Sequence, residues 1–146
     1  MSASALEGAT GSLVCLFELA GRTFGVDISR AREARVLDDY TVVPLAPPQL
    51  IGMTNLRGAI IPIVDLRVLL GLPASEGTIH ALVVEANAVR VGLAVDRVVG
   101  VESLDDEPLE PGEDTAETAG LQRGRLRRGD DAVPILDVGK IVESLT

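Results

Sequence analysis

Gly52-Met53-Thr54-Asn55-Leu56-Arg57-Gly58-Ala59-Ile60-Ile61-Pro62-Ile63-Val64-Asp65-Leu66 is the stretch whose reading decides the fold. Asn55 to Gly58 predicts a tight turn that carries a single cation, Arg57, between Leu56 and Gly58. The aliphatic run behind it predicts a buried strand, interrupted at Pro62. That strand stops at Asp65, whose side-chain oxygen is placed to accept from the first free amides of a short helix over Leu66–Leu70. Gly71 follows, suited to the left-handed conformation that closes a helix. The strand is buried structure, and the turn is the part that something outside the protein can read.

Upstream, Leu13–Leu19 reads as a strand with Cys15, Phe17 and Leu19 on one face and Glu18 on the other. Ala20-Gly21-Arg22 turns the chain, and Thr23–Ile28 runs back with Phe24, Val26 and Ile28 inward. The pair reads as a hairpin. Ser29–Arg35 predicts a single helical turn or an irregular corner carrying Arg30, Arg32, Glu33 and Arg35. Asp38-Asp39-Tyr40 reads as loop. Val42–Leu45 predicts a short strand stopped by Pro47-Pro48, because proline removes ladder donors.

Downstream, the chain repeats itself. At an offset of 67 (92 − 25), Gly25 falls on Gly92, Glu18 on Glu85, Val26 on Leu93 and Arg30 on Arg97. At an offset of 72 (134 − 62), Pro62-Ile63-Val64-Asp65 falls on Pro134-Ile135-Leu136-Asp137, so a second short helix should follow Asp137. The five extra residues (72 − 67) lie most easily in the acidic loop of the second half. Internal similarity changes the architecture and has to be settled first. Two halves of roughly 65 residues, each marginal alone, predict two small closed sheets sharing an aliphatic interface. The expected organisation is a tail over residues 1–11 and one unit over 12–146. Its first barrel lies mainly in 13–78 and its second mainly in 79–146, with terminal strands open to exchange.

Bulk properties remove several function classes. A hydrophobic content of 47% supports a real core in 146 residues. No apolar run reaches the 18 or so residues that span a bilayer, so direct membrane insertion is not expected. Met1–Gly11 is small and polar and reads as a loose tail rather than an export signal. A net charge of −9 repels phosphate backbones, and Phe17, Phe24 and Tyr40 leave little to stack bases on; nucleic acid is not an expected partner. Cys15 is the only cysteine and His80 the only histidine. They make no conventional zinc site, and Cys15 reads as an inert strand residue in a reducing compartment. Glu102 to Glu117 reads as a solvated acidic loop, without the alternating spacing of a calcium loop. Arg123, Arg125, Arg127 and Arg128 form a basic strand beside it, for which internal charge pairing is expected. No metal or cofactor is expected.

The carboxylates open to acid–base work are Asp65, Asp96 and Asp137. Asp65 and Asp137 occupy duplicate strand-to-helix junctions, which favours capping over a hydrolase built on them. Asp96 reads as a local ion pair or turn former beside Arg97. No Ser-His-Asp or Cys-His set is available, so the chain reads as a non-enzyme. Arg57 differs, because packing has no evident need of it; it is open either to pairing with a nearby acid or carbonyl of its own chain or to anchoring a partner. Arginine at an exposed turn suits an interface anchor, and Leu45, Ile51, Met53 and Leu56 are candidates for an apolar groove beside it that takes an amphipathic helix.

These residues resemble the CheW family of bacterial chemotaxis coupling proteins. The resemblance is carried by Phe17-Glu18, Phe24-Gly25-Val26-Asp27-Ile28, Arg32-Glu33, the Gly52–Gly58 turn with Ile60–Leu66, Val91–Val98, Gly120-Leu121 and Pro134–Asp137. It implies an all-β fold of two intertwined SH3-like five-stranded β-barrels with short helices. It also implies a cytoplasmic, non-catalytic adaptor that links the tips of methyl-accepting chemoreceptors to the regulatory domain of the histidine kinase CheA, recruited to membrane-associated receptor arrays. A CheW-like adaptor of a gliding, pilus or other kinase cascade is the alternative within the family. The partner-binding positions carried over are Arg57 and Glu33, with Gly52, Met53, Asn55, Leu56 and Gly58 around the turn and Ala31 in the corner before Glu33.

Overall fold

A computed structural model describes residues 13–27, 31–37, 39–73, 79–86, 88–103, 120–129 and 131–145. Among the described residues, ten strands and two short helices follow in order. The first half holds β1 (Leu13–Leu19), β2 (Arg22–Asp27), β3 (Ala31–Val36), β4 (Leu50–Leu56), β5 (Ala59–Asp65) and α1 (Leu66–Leu69). The second holds β6 (His80–Ala86), β7 (Val89–Val95), β8 (Arg97–Ser103), β9 (Gln122–Arg128), β10 (Asp131–Leu136) and α2 (Val138–Glu143). They form two five-stranded sheets, ordered β8-β1-β2-β10-β9 and β3-β6-β7-β5-β4. Each sheet therefore takes a hairpin from one half of the chain and three strands from the other, so the fold is all-β and intertwined.

The duplication holds residue by residue in the register. Ala31 pairs with Val84 and Glu33 with Val83, skipping Arg32; Val98 pairs with Phe17 and Gly100 with Leu16, skipping Val99. Leu50 pairs with Val64 and Gly52 with Ile63, skipping Ile51; Gln122 pairs with Leu136 and Gly124 with Ile135, skipping Arg123. Bulges twist a strand locally, and here they fall at equivalent places in both sheets. Parallel pairing of β5 with β7 begins at Ile63–Gly92, and that of β10 with β2 at Ile135–Gly25. In both cases it begins one residue after the proline, so the missing N–H removes no bond from that ladder. Pro62 therefore lies within an unbroken β5. A methyl group on Gly25 or Gly92 would lie 2.8 or 2.7 Å from the Cδ1 of Ile135 or Ile63, so close strand approach explains both glycines.

The main core lies between the sheets. Phe17, Phe24 and Val26 from one sheet meet Val64, Leu82, Val84 and Leu93 from the other, with Leu66 and Ile141 of the helices closing the ends. β1 is buried on both faces, not one: Val14 and Leu16 pack with Leu126, Val133 and Ile135 on the far side. The burial of Cys15 in this core raises its thiol pKa. Asp65 caps α1 by accepting from the Arg67 amide at 3.0 Å, and Asp137 caps α2 by accepting from the Lys140 amide at 3.2 Å. Gly71 (φ 69°) then ends α1. Its N–H donates to Val68 and that of Leu72 to Arg67, the paired closure of a Schellman motif.

Three local expectations are corrected. Residues 31–36 form an edge strand, β3, rather than a helical turn or corner; antiparallel pairing with β6 imposes the extended form on a sequence whose charges hide the alternation. Val42–Leu45 is not a strand. A single bridge joins Thr41 to Met53, and the chain then turns at Pro44-Leu45, with Leu45 at φ 64° and fully exposed. Asp96 pairs with Arg67, 29 residues away, rather than with Arg97, which instead makes two 2.9 Å bonds to Glu18. In the basic strand, Arg123 pairs with Asp27 at 2.9 Å; the acidic loop lies outside the described residues apart from Glu102 and Ser103.

Candidate functional site

β3 and β4 are the two edges of one sheet, and the Arg57 turn joins β4 to β5. Arg57 (φ 53°) and Gly58 (φ 83°) make a two-residue turn with both centres left-handed, the geometry that matches strand twist in a hairpin. Glycine takes that conformation freely, whereas arginine does so at a cost of about 1–2 kcal/mol. Asn55 Oδ1 accepts from the Gly58 amide at 3.1 Å and pins the turn from the strand side. The Arg57 side chain is 79% exposed.

From the opposite edge, Glu33 of β3 accepts from Arg57 Nε at 3.3 Å. The pair spans the open side of the sheet. Its exposure limits it to about 0–1 kcal/mol of stability, so the guanidinium is tethered but not consumed. Between these edges lies a groove of ≈ 220 Å³. Its walls include Leu56, Ile61, Ile63, Ala81 and Val83, all buried, and Arg35 and Asn55 stand at its exposed side.

The remaining expected positions have other surroundings. Gly52 is a packing residue: the β3–β4 connection crosses it so closely that a methyl group would lie 2.3 Å from the Thr41 carbonyl oxygen. Met53 is half-buried, and its backbone makes reciprocal 2.8 Å bonds with Thr41. Ala31 packs against the main core and Ile51 against the Ile63–Ala81–Ala94 cluster. Of the expected positions, Asn55 and Leu56 line the groove, Arg57 and Gly58 form the turn that follows them, and Glu33 pairs with Arg57; Gly52 is packed under the β3–β4 connection and Ala31 against the main core. Sequence reading missed Arg35, Ile61 and Val83, because only the strand character of β3 and its pairing with β6 bring those residues to the same cleft.

A model of the CheW-like domain matches residues 13–146. The chain belongs to the CheW family. Chemotaxis protein CheW of Klebsiella aerogenes is 33% identical over 97% of this chain and 88% of its own length. That of Rhizobium meliloti is 35% identical over 73% and 70%. The crystal structure of the scaffolding protein TtCheW from Thermoanaerobacter tengcongensis superposes with a TM-score of 0.81 at 27% identity, covering 89% of this chain and 86% of that one. As a CheW-family chain it is a non-catalytic chemotaxis scaffold. Asp65 and Asp137, both bonded to helix amides, act as caps. Among the described residues no helix is long and apolar enough to cross a membrane.

Proposed function

We propose that this protein couples the cytoplasmic tip of a methyl-accepting chemoreceptor to the regulatory domain of the kinase CheA, and that the groove between β3 and β4 takes the receptor helix. The observation that carries this reading is Arg57, an exposed cation on a pinned turn that directly follows Asn55 and Leu56 of the groove wall. An amphipathic helix laid along the groove brings an acceptor for the guanidinium and aliphatic side chains to the groove's apolar walls. The adaptor acts in the cytoplasm and is recruited to receptor arrays, where many weak contacts held together give avidity.

Arg57→Glu tests the assignment. Loss of one charge-assisted contact is worth roughly 1.5–3 kcal/mol, or about ten- to a hundredfold in Kd. Receptor pull-down is expected to fall by that factor with the melting curve nearly unchanged. Receptor binding equal to that of the parent removes Arg57 from the site.

A further inference from the structure

The chain passes from the second sheet to the first between β7 and β8, and a single residue, Asp96, makes the passage. It is held from both sides. Arg67 of α1, directly behind β5, donates from Nε to Asp96 Oδ1 at 3.0 Å and from Nη2 to Oδ2. The Ala20 amide, in the β1–β2 turn of the other sheet, donates to Oδ2 at 2.9 Å. The backbone of Asp96 repeats the bridge: its N–H donates to the Glu18 carbonyl at 2.9 Å, and its carbonyl meets His80 Nδ1 of β6 at 2.8 Å. Arg67 is only 11% exposed, and its remaining nitrogen, Nη1, donates to the Pro73 carbonyl.

The duplicated fold does not demand this knot. At the other passage, between β2 and β3, the equivalent positions are Ser29 (96 − 67) and Gly139 (67 + 72), and glycine has no side chain to donate. Registers, bulges and caps recur in both halves, whereas the Arg–Asp tie cannot. The aliphatic layer between the sheets is non-directional, so it opposes separation far more than rotation or sliding. Charge-assisted hydrogen bonds are directional and resist both.

We infer that Asp96, tied to Arg67 and Ala20, is the positioning residue that fixes the angle between the two sheets, and that this fixed angle lets the adaptor hold two partners in one geometry. The second half of the inference rests on the adaptor reading; the first stands without it.

Spin labels on Ile60→Cys in one sheet and Val101→Cys in the other, in a Cys15→Ala background, report the angle by pulsed dipolar spectroscopy; both sites are exposed. The expected parent result is one narrow distance peak, broadened or split by Asp96→Ala and by Arg67→Met. If Asp96→Ala fails to fold, Arg67→Met carries the test. A peak equally narrow in a folded variant overturns the inference. In a reconstituted mixture of receptor, kinase and unlabelled adaptor, the variants should keep their pairwise Kd values but lose about tenfold in kinase activation, within the usual range for coupling between sites. Full activation despite a broadened peak overturns the second half alone. A parent that binds neither partner sinks the adaptor reading, and the peak widths still decide the first half.

Discussion

Replacing Gly52 with alanine tests the claim that the first glycine of the signature is there for packing. The new methyl group would lie 2.3 Å from the Thr41 carbonyl oxygen, 2.9 Å from the Thr41 carbonyl carbon and 3.0 Å from a ring carbon of Tyr40. Backbone cannot rotate aside as a side chain can, so the 39–41 segment has to lift. Lifting breaks the two 2.8 Å bonds between Thr41 and Met53 and strains the 2.8 Å bond from Thr54 Oγ1 to the Asp39 carbonyl. At about 1 kcal/mol net for each bond, the loss is about 2–3 kcal/mol. At about 2–4 °C per kcal/mol for a chain near this length, the melting temperature should fall by about 5–10 °C. Gly92→Ala is the control, because the nearest atom there is the Ile63 Cδ1 end at 2.7 Å, which can rotate; overpacking of that kind costs about 1 kcal/mol. Calorimetry gives the two shifts, and amide exchange at Thr41 and Met53 locates the damage. A Gly52→Ala protein that melts with the parent and still protects both amides would refute the packing argument.

Gln122 is 4% exposed with neither side-chain amide atom paired, and its equivalent in the first half is Leu50 (122 − 72). Gln122→Leu should therefore stabilise the fold by about 1–3 kcal/mol, read from the denaturant midpoint, and a lower midpoint would count against it. Arg57→Gly relieves the strained turn while losing the exposed pair with Glu33 and adding chain entropy. Unfolding free energy should stay within about 1 kcal/mol of the parent while receptor capture weakens by about ten- to a hundredfold; capture equal to the parent's contradicts the assignment. The Glu18 carboxylate is held below its usual range, first by its hydrogen bond from Arg97 and then by that residue's charge. Its folded pKa lies below its unfolded one, so its contribution is present above the unfolded value and is lost as pH falls through the folded one. Glu18→Gln should flatten the acid limb of a stability–pH curve, and an unaltered limb would show that Arg97 contributes nothing there.

Much of this was legible in the sequence where local chemistry and tertiary context agree. β1 and β5, the Arg57 turn and both helix caps follow from periodicity, turn residues and Asp–Gly punctuation. Sequence reasoning failed where partners far along the chain decide. Ala31-Arg32-Glu33-Ala34-Arg35-Val36 is an edge strand because β6 offers it a ladder, and the bulge at Arg32 breaks the alternation a reader would look for. Val42 and Val43 have strand propensity but lie on the far side of the Thr41–Met53 bridge, where no further ladder forms before the turn at Pro44-Leu45. The Arg67–Asp96 tie joins positions that no spacing rule links. The groove itself needed β3, β4, β5 and β6 assembled before its walls could be named.

The internal repeat separates residues by role. Gly25 and Gly92, Pro62 and Pro134, Ile63 and Ile135, and Asp65 and Asp137 are identical in both halves, and each has a packing or capping reason that applies twice. Arg57 aligns with Gly129 (57 + 72), Glu33 with Gly100 (33 + 67) and Arg67 with Gly139 (67 + 72). At the turn, Gly129 adopts φ 62° without the steric cost that Arg57 bears at φ 53°. Ala20 and Ala88, at φ 51° and 63° in the β1–β2 and β6–β7 turns, show that a left-handed non-glycine residue is tolerated in hairpins of this fold, so backbone conformation alone does not mark a site. What sets Arg57 and Glu33 apart is that both side chains are charged and paired while their counterparts in the second half are glycines; a role that belongs to one half of a duplicated fold is the sequence basis of the receptor-binding proposal.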